Sequence, residues 1–240
     1  MKPESRSVSV VLVGSFKPSD FVMGSLQHAK ALSASDLSKS AYIALLKDQA
    51  VEVELPWGKL LALSERFSVE LSQVPYVRAA DLVSKCLRDV SPSATVTKVG
   101  INVVSHYRFA NMYERDKFAV RLVPPLAWGT FGKEVLESMK LADDRHGGII
   151  DVTMRMGRPD DREVGWIDAR IQQSTLIPQN AGAAVSINDH YECLPADKSG
   201  VQLPARLISE RLLELVESRF DQASERLFQL SDRIVSGDTT

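Results

Sequence analysis

Several short stretches of the chain alternate apolar and polar positions, and each predicts a strand. SVSVVLVGSF (7–16) is compact and β-branched, and VEVELPW (51–57) repeats with period two before a Trp57-Gly58 turn. KLLALSERFSVELS (59–72) is expected to return as the antiparallel partner, and TVTKVGINVVSHYRF (95–109) to form one long strand. Pro18 stops the first strand, and Ser19 or Asp20 caps a helix over 21–31. The serine-rich 33–40 reads as a loop. YVRAADLVSKCLRDV (76–90) places Val77, Leu82, Cys86 and Val90 on one helical stripe. The resulting order, β-α-β-β-α-β, predicts a ferredoxin-like (split βαβ) half over 1–109, an antiparallel sheet with both helices on one face.

Residues 110–147 read as a helical connector. It is interrupted by Pro124-Pro125 and Trp128-Gly129 and is expected to pack through Phe118, Leu122, Leu126 and Trp128. GIIDVTMRMGR (148–158), EVGWIDARIQQS (163–174) and GAAVSINDHYEC (182–193) are separated by turn residues and predict a β-meander. A long helix follows from about Pro204 to Val235, with Gly237 just past its end. The expected fold is therefore α+β: a ferredoxin-like 1–109, a connector 110–147, and a meander with a long helix over 148–240. The three segments are separate or one continuous domain.

The terminal helix carries Leu213, Val216, Phe220, Ala223, Leu227, Leu230 and Ile234 at three-then-four spacing. That is the seam of a bundle helix or a coiled coil. Most such stripes face their own core; the alternative use is to bind a second copy or another subunit. A helix of this length runs roughly 45 Å, against about 35–40 Å for a domain of this size. It must lie along the whole body or project from it.

Parity along the strands picks out two polar faces. Asn102, His106 and Arg108 lie opposite Ile101, Val103, Tyr107 and Phe109. If Met154 and Met156 face inward, Arg155 on the first meander strand joins Asp168, Arg170 and Gln172 on the second and Asn188 and His190 on the third. One carboxylate among several donors suits recognition better than proton transfer, which needs a base and a matched partner. Asp143, Asp144 and His146 in DDRHGG match no ligand spacing, and RPDDRE (158–163) is a similar polar loop. LVGSF and GTFG are too short of glycines to cradle a phosphate. Base stacking would need exposed sheet aromatics, and Phe67 has the neighbours Val69 and Leu71 in register, a buried pattern.

Composition narrows this further. With 29 Lys+Arg against 31 Asp+Glu the net charge is −2, which argues against a protein that coats nucleic acid. Cys86 and Cys193 have no metal-ligand spacing and predict neither a disulfide framework nor a zinc site. No window approaches a membrane span and no signal peptide is legible, so the reading is a soluble protein of a reducing cytoplasm.

The layout of LVGSFKPSDF (12–21), GINVVSHYRF (100–109), a three-strand meander and a long terminal helix resembles a sporadically distributed group of bacterial proteins that has no assigned active site. The resemblance implies an accessory protein of a mobile or defence-associated operon. The expected function is that of a non-enzymatic assembly or adaptor subunit. It would bind protein partners, as a homo-oligomer or in a hetero-complex, through Leu213, Val216, Phe220, Leu227, Leu230 and Ile234 and through the polar sheet face. No cofactor, metal or membrane is expected. The alternative is a nucleic-acid-associated subunit that sets Arg155, Arg170, Arg108 and His106 against phosphates.

Overall fold

The computed structural model describes residues 1–46, 48–139, 150–157, 164–192 and 204–237. Nine strands, β1 (Ser5–Ser15), β2 (Ala41–Leu46), β3 (Ala50–Leu55), β4 (Gly58–Leu63), β5 (Arg66–Leu71), β6 (Thr95–Arg108), β7 (Asp151–Gly157), β8 (Val164–Gln173) and β9 (Gly182–Glu192), form one sheet. Their order is β2-β3-β4-β5-β1-β6-β9-β8-β7, and each neighbouring pair is antiparallel. The helices are α1 (Met23–His28), α2 (Ala34–Leu37), α3 (Arg78–Lys85), α4 (Met112–Leu122), α5 (Gly129–Ser138) and α6 (Ala205–Ser236).

The fold is α+β, but its strand order is not that of a split βαβ unit. That topology sets the first strand beside one parallel neighbour, whereas both neighbours of β1 run antiparallel to it. The cause is a chain reversal inside 59–72. The inward positions are Leu60 and Ala62 before Ser64 but Phe67, Val69 and Leu71 after it. A continuous strand keeps its parity, so the change marks a hairpin between β4 and β5. A further strand, β2, precedes β3 in AYIALL, a run without the alternation that marks the other strands. The expected helix over 21–31 is also shorter: a 3₁₀ turn at Pro18–Phe21 followed by α1.

The sheet passes without a break from 1–109 into the meander, because β6 pairs with β9 over Lys98 to Arg108. One core draws on all three segments: Val10, Phe67 and Ile101 from the first, Phe118 from the connector, and Ile187, Phe220 and Leu227 from the last. Phe21 stacks on Phe67 with centroids 4.6 Å apart, closing the end near β4 and β5. Where β1 bends at a bulge, a Cβ on Gly14 would stand 1.8 Å from the carbonyl oxygen of Thr95, so only glycine fits.

α6 lies along its own sheet. Near its start Ser209 Oγ accepts a hydrogen bond from the Val96 N–H at 2.7 Å, and near its end Tyr107 Oη donates to Asp232 at 2.7 Å. From Ser209 to Asp232 the helix rises about 35 Å, and from Val96 to Tyr107 the strand extends about 36 Å. The helix and β6 are therefore matched in length and run side by side. Gly237 ends α6 in the left-handed conformation, with φ of 75°.

Candidate functional site

The helices gather on one face of the sheet, and the other face is lined by half-exposed side chains. Register brings both sequence-derived polar sets onto that second face. Arg155 stands opposite Asp168, Asp168 opposite Asn188, and Asn188 opposite Asn102. The row continues through Ser9, Glu70, Lys59 and Glu54 to the far side of the sheet. Eight strands thus contribute one polar line across the strands, where the sequence showed two unconnected groups.

The densest part of this face is built around Trp166. Its ring stacks on His190, with centroids 4.1 Å apart and planes at 25°. The Arg155 guanidinium lies 4.4 Å from the Trp166 centroid, so the indole is held beside both an imidazole and a cation. Arg155 also donates to both oxygens of Asp168, at 2.7 and 2.8 Å, and Trp166 Nε1 donates to the same carboxylate at 3.0 Å. The Arg155 hydrogen bonds hold the Asp168 carboxyl below its ordinary range. His190 meets Glu192 at 3.0 Å, and Lys98 reaches Glu192 at 2.6 Å. Lys98, and then His190, lower the Glu192 carboxyl. Trp166 was missed in the sequence although it stands one alternation step before Asp168, so parity alone places it on this face.

Beside the cluster, Gly100 lies beneath the Asn188 and Asn102 side chains. A Cβ there would come within 2.9 Å of Asn188 Oδ1. Arg170 binds Asp151, and Arg108 donates to Glu4 at 3.0 Å. Lys59 pairs with Glu52 at 2.8 Å, so the cations named on this face, Lys59, Lys98, Arg108, Arg155 and Arg170, are each held by a carboxylate. A phosphate would have to displace those carboxylates to bind.

His106 is engaged elsewhere. Its Nδ1 lies 2.8 Å from the hydroxyl of Ser174, and that hydroxyl also accepts backbone N–H bonds from Leu176 and Ile177. With two donors already directed at the oxygen, the hydroxyl proton goes to Nδ1, which then acts as acceptor. Burial pushes the His106 pKa down and keeps the ring neutral near pH 7. Ser174 is buried and locks the turn after β8, so the pair is not placed as base and nucleophile. Among the described residues no group of three His, Cys, Asp or Glu side chains is placed to hold a metal. Cys86 is buried, and desolvation pushes its thiol up, away from the reactive thiolate. Asp143, Asp144, His146, the 158–163 loop and Cys193 lie outside the described residues.

The helix seam is not a free surface. Val216, Phe220 and Leu227 are buried against the sheet, and Leu213, Leu230 and Ile234 pack partly buried on the same core. The side chains expected to meet a partner are occupied by the protein's own β6 and β9.

A different apolar surface is exposed at the β7 end of the sheet. Met154 and Met156 point to the helix-bearing side, but the cover stops short of them, leaving Met154 73% exposed. In the connector Phe118 is buried, stacking on Phe109 at 5.3 Å, whereas Leu126 and Trp128 are largely exposed rather than packed on the sheet. Phe131 on α5 is exposed too, as is Ile150, 80% accessible just before β7. Trp128, Phe131, Ile150 and Val152 line one cleft of about 320 Å³ with Val123 and Val135. In comparisons with protein-family models and with curated proteins, nothing matches this chain. No helix among the described residues is long and apolar enough to cross a membrane.

Proposed function

We propose that this protein is a non-catalytic assembly or adaptor subunit whose partner contact is the β7 margin of the sheet. The observation that carries the reading is the cleft that Trp128, Phe131, Ile150 and Val152 line at the strand that ends the sheet among the described residues, with Leu126, Met154 and Met156 exposed on the same two segments. Fully burying one such side chain is worth about 1.5–3 kcal/mol. Contiguous apolar surface of this kind on a folded chain marks an association site, and a terminal strand offers unpaired N–H and C=O groups to a partner. The polar face around Trp166 is a second contact surface, rigid because its charges are already paired. Both features suit an accessory protein that works within a complex.

The nucleic-acid alternative is the weaker reading. It needs cations free to meet phosphates, and Arg155, Arg170 and Arg108 each hold a carboxylate. The test is affinity purification from the native host with quantitative comparison of wild type and a Leu126→Glu/Phe131→Glu variant. The expected result is a stoichiometric protein partner, a second copy of the chain or another protein, that is lost from the variant. An identical set of co-purifying proteins from both forms would overturn the assignment.

A further inference from the structure

We infer that β7 is the interface between two copies of this chain, paired antiparallel about a twofold axis through Thr153. This rests on the reading of the β7 margin as an association surface and names its occupant. The strand sequence DVTMRMG is self-complementary about that residue. With Thr153 opposite the second copy's Thr153, Asp151 faces its Arg155, Val152 its Met154, and Ile150 its Met156. Directly opposed residues in an antiparallel pair stand about 4.5–5.5 Å apart, so each Asp–Arg pair is in contact range. Shifting the axis by one residue in either direction sets Asp151 opposite Gly157 or Thr153 and loses the charge match. An axis between residues would oppose the apolar face to the polar one.

The intramolecular pairs reinforce this register. Asp151 is already bound by Arg170, and Arg155 by Asp168. Across the axis the order becomes Arg170, Asp151, the second copy's Arg155, the second copy's Asp168. The charges alternate along the whole row, and symmetry repeats the row on the other side of the axis.

The apolar side fits as well. The first half of β7, with Ile150 and Val152, shares its cleft with Trp128 and Phe131. The second half carries Met154 and Met156, which are exposed and lie outside that cleft. The twofold sets Ile150 and Val152 of one copy, which share the cleft with Trp128 and Phe131, beside Met154 and Met156 of the other, bringing the second copy's Trp128 and Phe131 toward Met154 and Met156. The opposite edge, β2, also exposes Tyr42, Ile43, Leu45 and Leu46. However, AYIALL has no charge to fix a register, and a bulge between Tyr42 and Ala44 breaks its ladder. A closed pair through β7 satisfies the isologous rule that one patch meets itself.

Light scattering coupled to size exclusion on the full chain is expected to give a dimer across a concentration series, and Met154→Glu a monomer with an unchanged circular dichroism spectrum. Thr153→Cys is expected to form an interchain disulfide under mild oxidation, because side chains on the axis lie within disulfide reach. Leu45→Cys and the wild type are expected to stay uncrosslinked. A monomer at every concentration overturns the inference, as does a dimer that crosslinks through Leu45→Cys and not through Thr153→Cys. A monomer that still loses host partners on Leu126→Glu/Phe131→Glu substitution overturns the dimer alone. A Thr153→Cys-linked dimer whose host partners survive that substitution overturns the adaptor reading alone.

Discussion

Tyr107 closes the run of inward-facing residues on β6 with a hydroxyl that is expensive to leave dry. Its ring is fully buried, and its Oη meets Ser231 Oγ at 2.8 Å and donates to Asp232 Oδ1 at 2.7 Å. Arg6 on β1 donates to both Asp232 oxygens at 2.6 Å and lies 4.8 Å from the Phe228 centroid. Burial alone would raise the Asp232 carboxyl, and the Arg6 and Tyr107 hydrogen bonds reverse it, so that its pKa is lowered. Tyr107→Phe keeps the ring's packing but leaves the buried Ser231 hydroxyl without that partner. Such a change costs about 1–3 kcal/mol, read as a lower urea midpoint with an unchanged slope. A midpoint equal to wild type would mean that the cluster does not hold α6. Parity showed that Tyr107 looks inward and that Asn102, His106 and Arg108 look outward. It could not show Asp232 or Arg6 beside Tyr107, because those contacts join residues more than a hundred positions apart. The same limit split one polar row into two lists: which strand lies beside β6 is a property of the sheet, not of the strand.

At the scale of elements, α6 and the β4–β5 hairpin show what spacing carries and what it omits. The three-then-four spacing correctly marked a helix with one apolar stripe. It left the stripe's partner open, since an apolar seam is the same whether it meets its own sheet or another chain. Length decides the matter here: the helix and β6 match end to end, so the stripe is used internally. Phe220 is 1% exposed at the middle of that contact, whereas Leu230 is only partly buried. Phe220→Ala is therefore expected to cost about 3–5 kcal/mol and Leu230→Ala clearly less, because the cost tracks the cavity left behind. Denaturation of both variants checks the order. Equal costs, or a small cost at Phe220, would contradict the packing of α6 on the sheet. In 59–72 the parity change between Ala62 and Phe67 is present in the sequence, but Ser64, Glu65 and Arg66 are a modest turn signal and do not mark the reversal. That single reversal converted an expected split βαβ half into a meander. β2 was illegible for a different reason: AYIALL lacks alternation, having been freed from it by an exposed edge and a bulge.

Across the whole molecule, stability should grade from the centre of the sheet to its margins. β1 and β6 have partners on both sides, and β6 lies under the length of α6. Among the described residues β2 and β7 each have one partner strand, and both carry exposed side chains. Local opening needs little energy where few apolar contacts break, and approaches global unfolding where many do. Native-state hydrogen exchange is thus expected to be slowest in peptides from 95–108 and 5–15, and fast in 41–46. In β7 the rate is expected to depend on protein concentration, because pairing with a second copy protects the same amides that a lone chain leaves open, and mass action sets the paired fraction. At high dilution β7 should exchange as fast as β2; on concentration its amides should slow while those of β2 stay unchanged. Slowing at β2 instead would place the association at the opposite edge. Uniform exchange across the sheet would contradict the graded core itself, since it requires the nine strands to open as one unit.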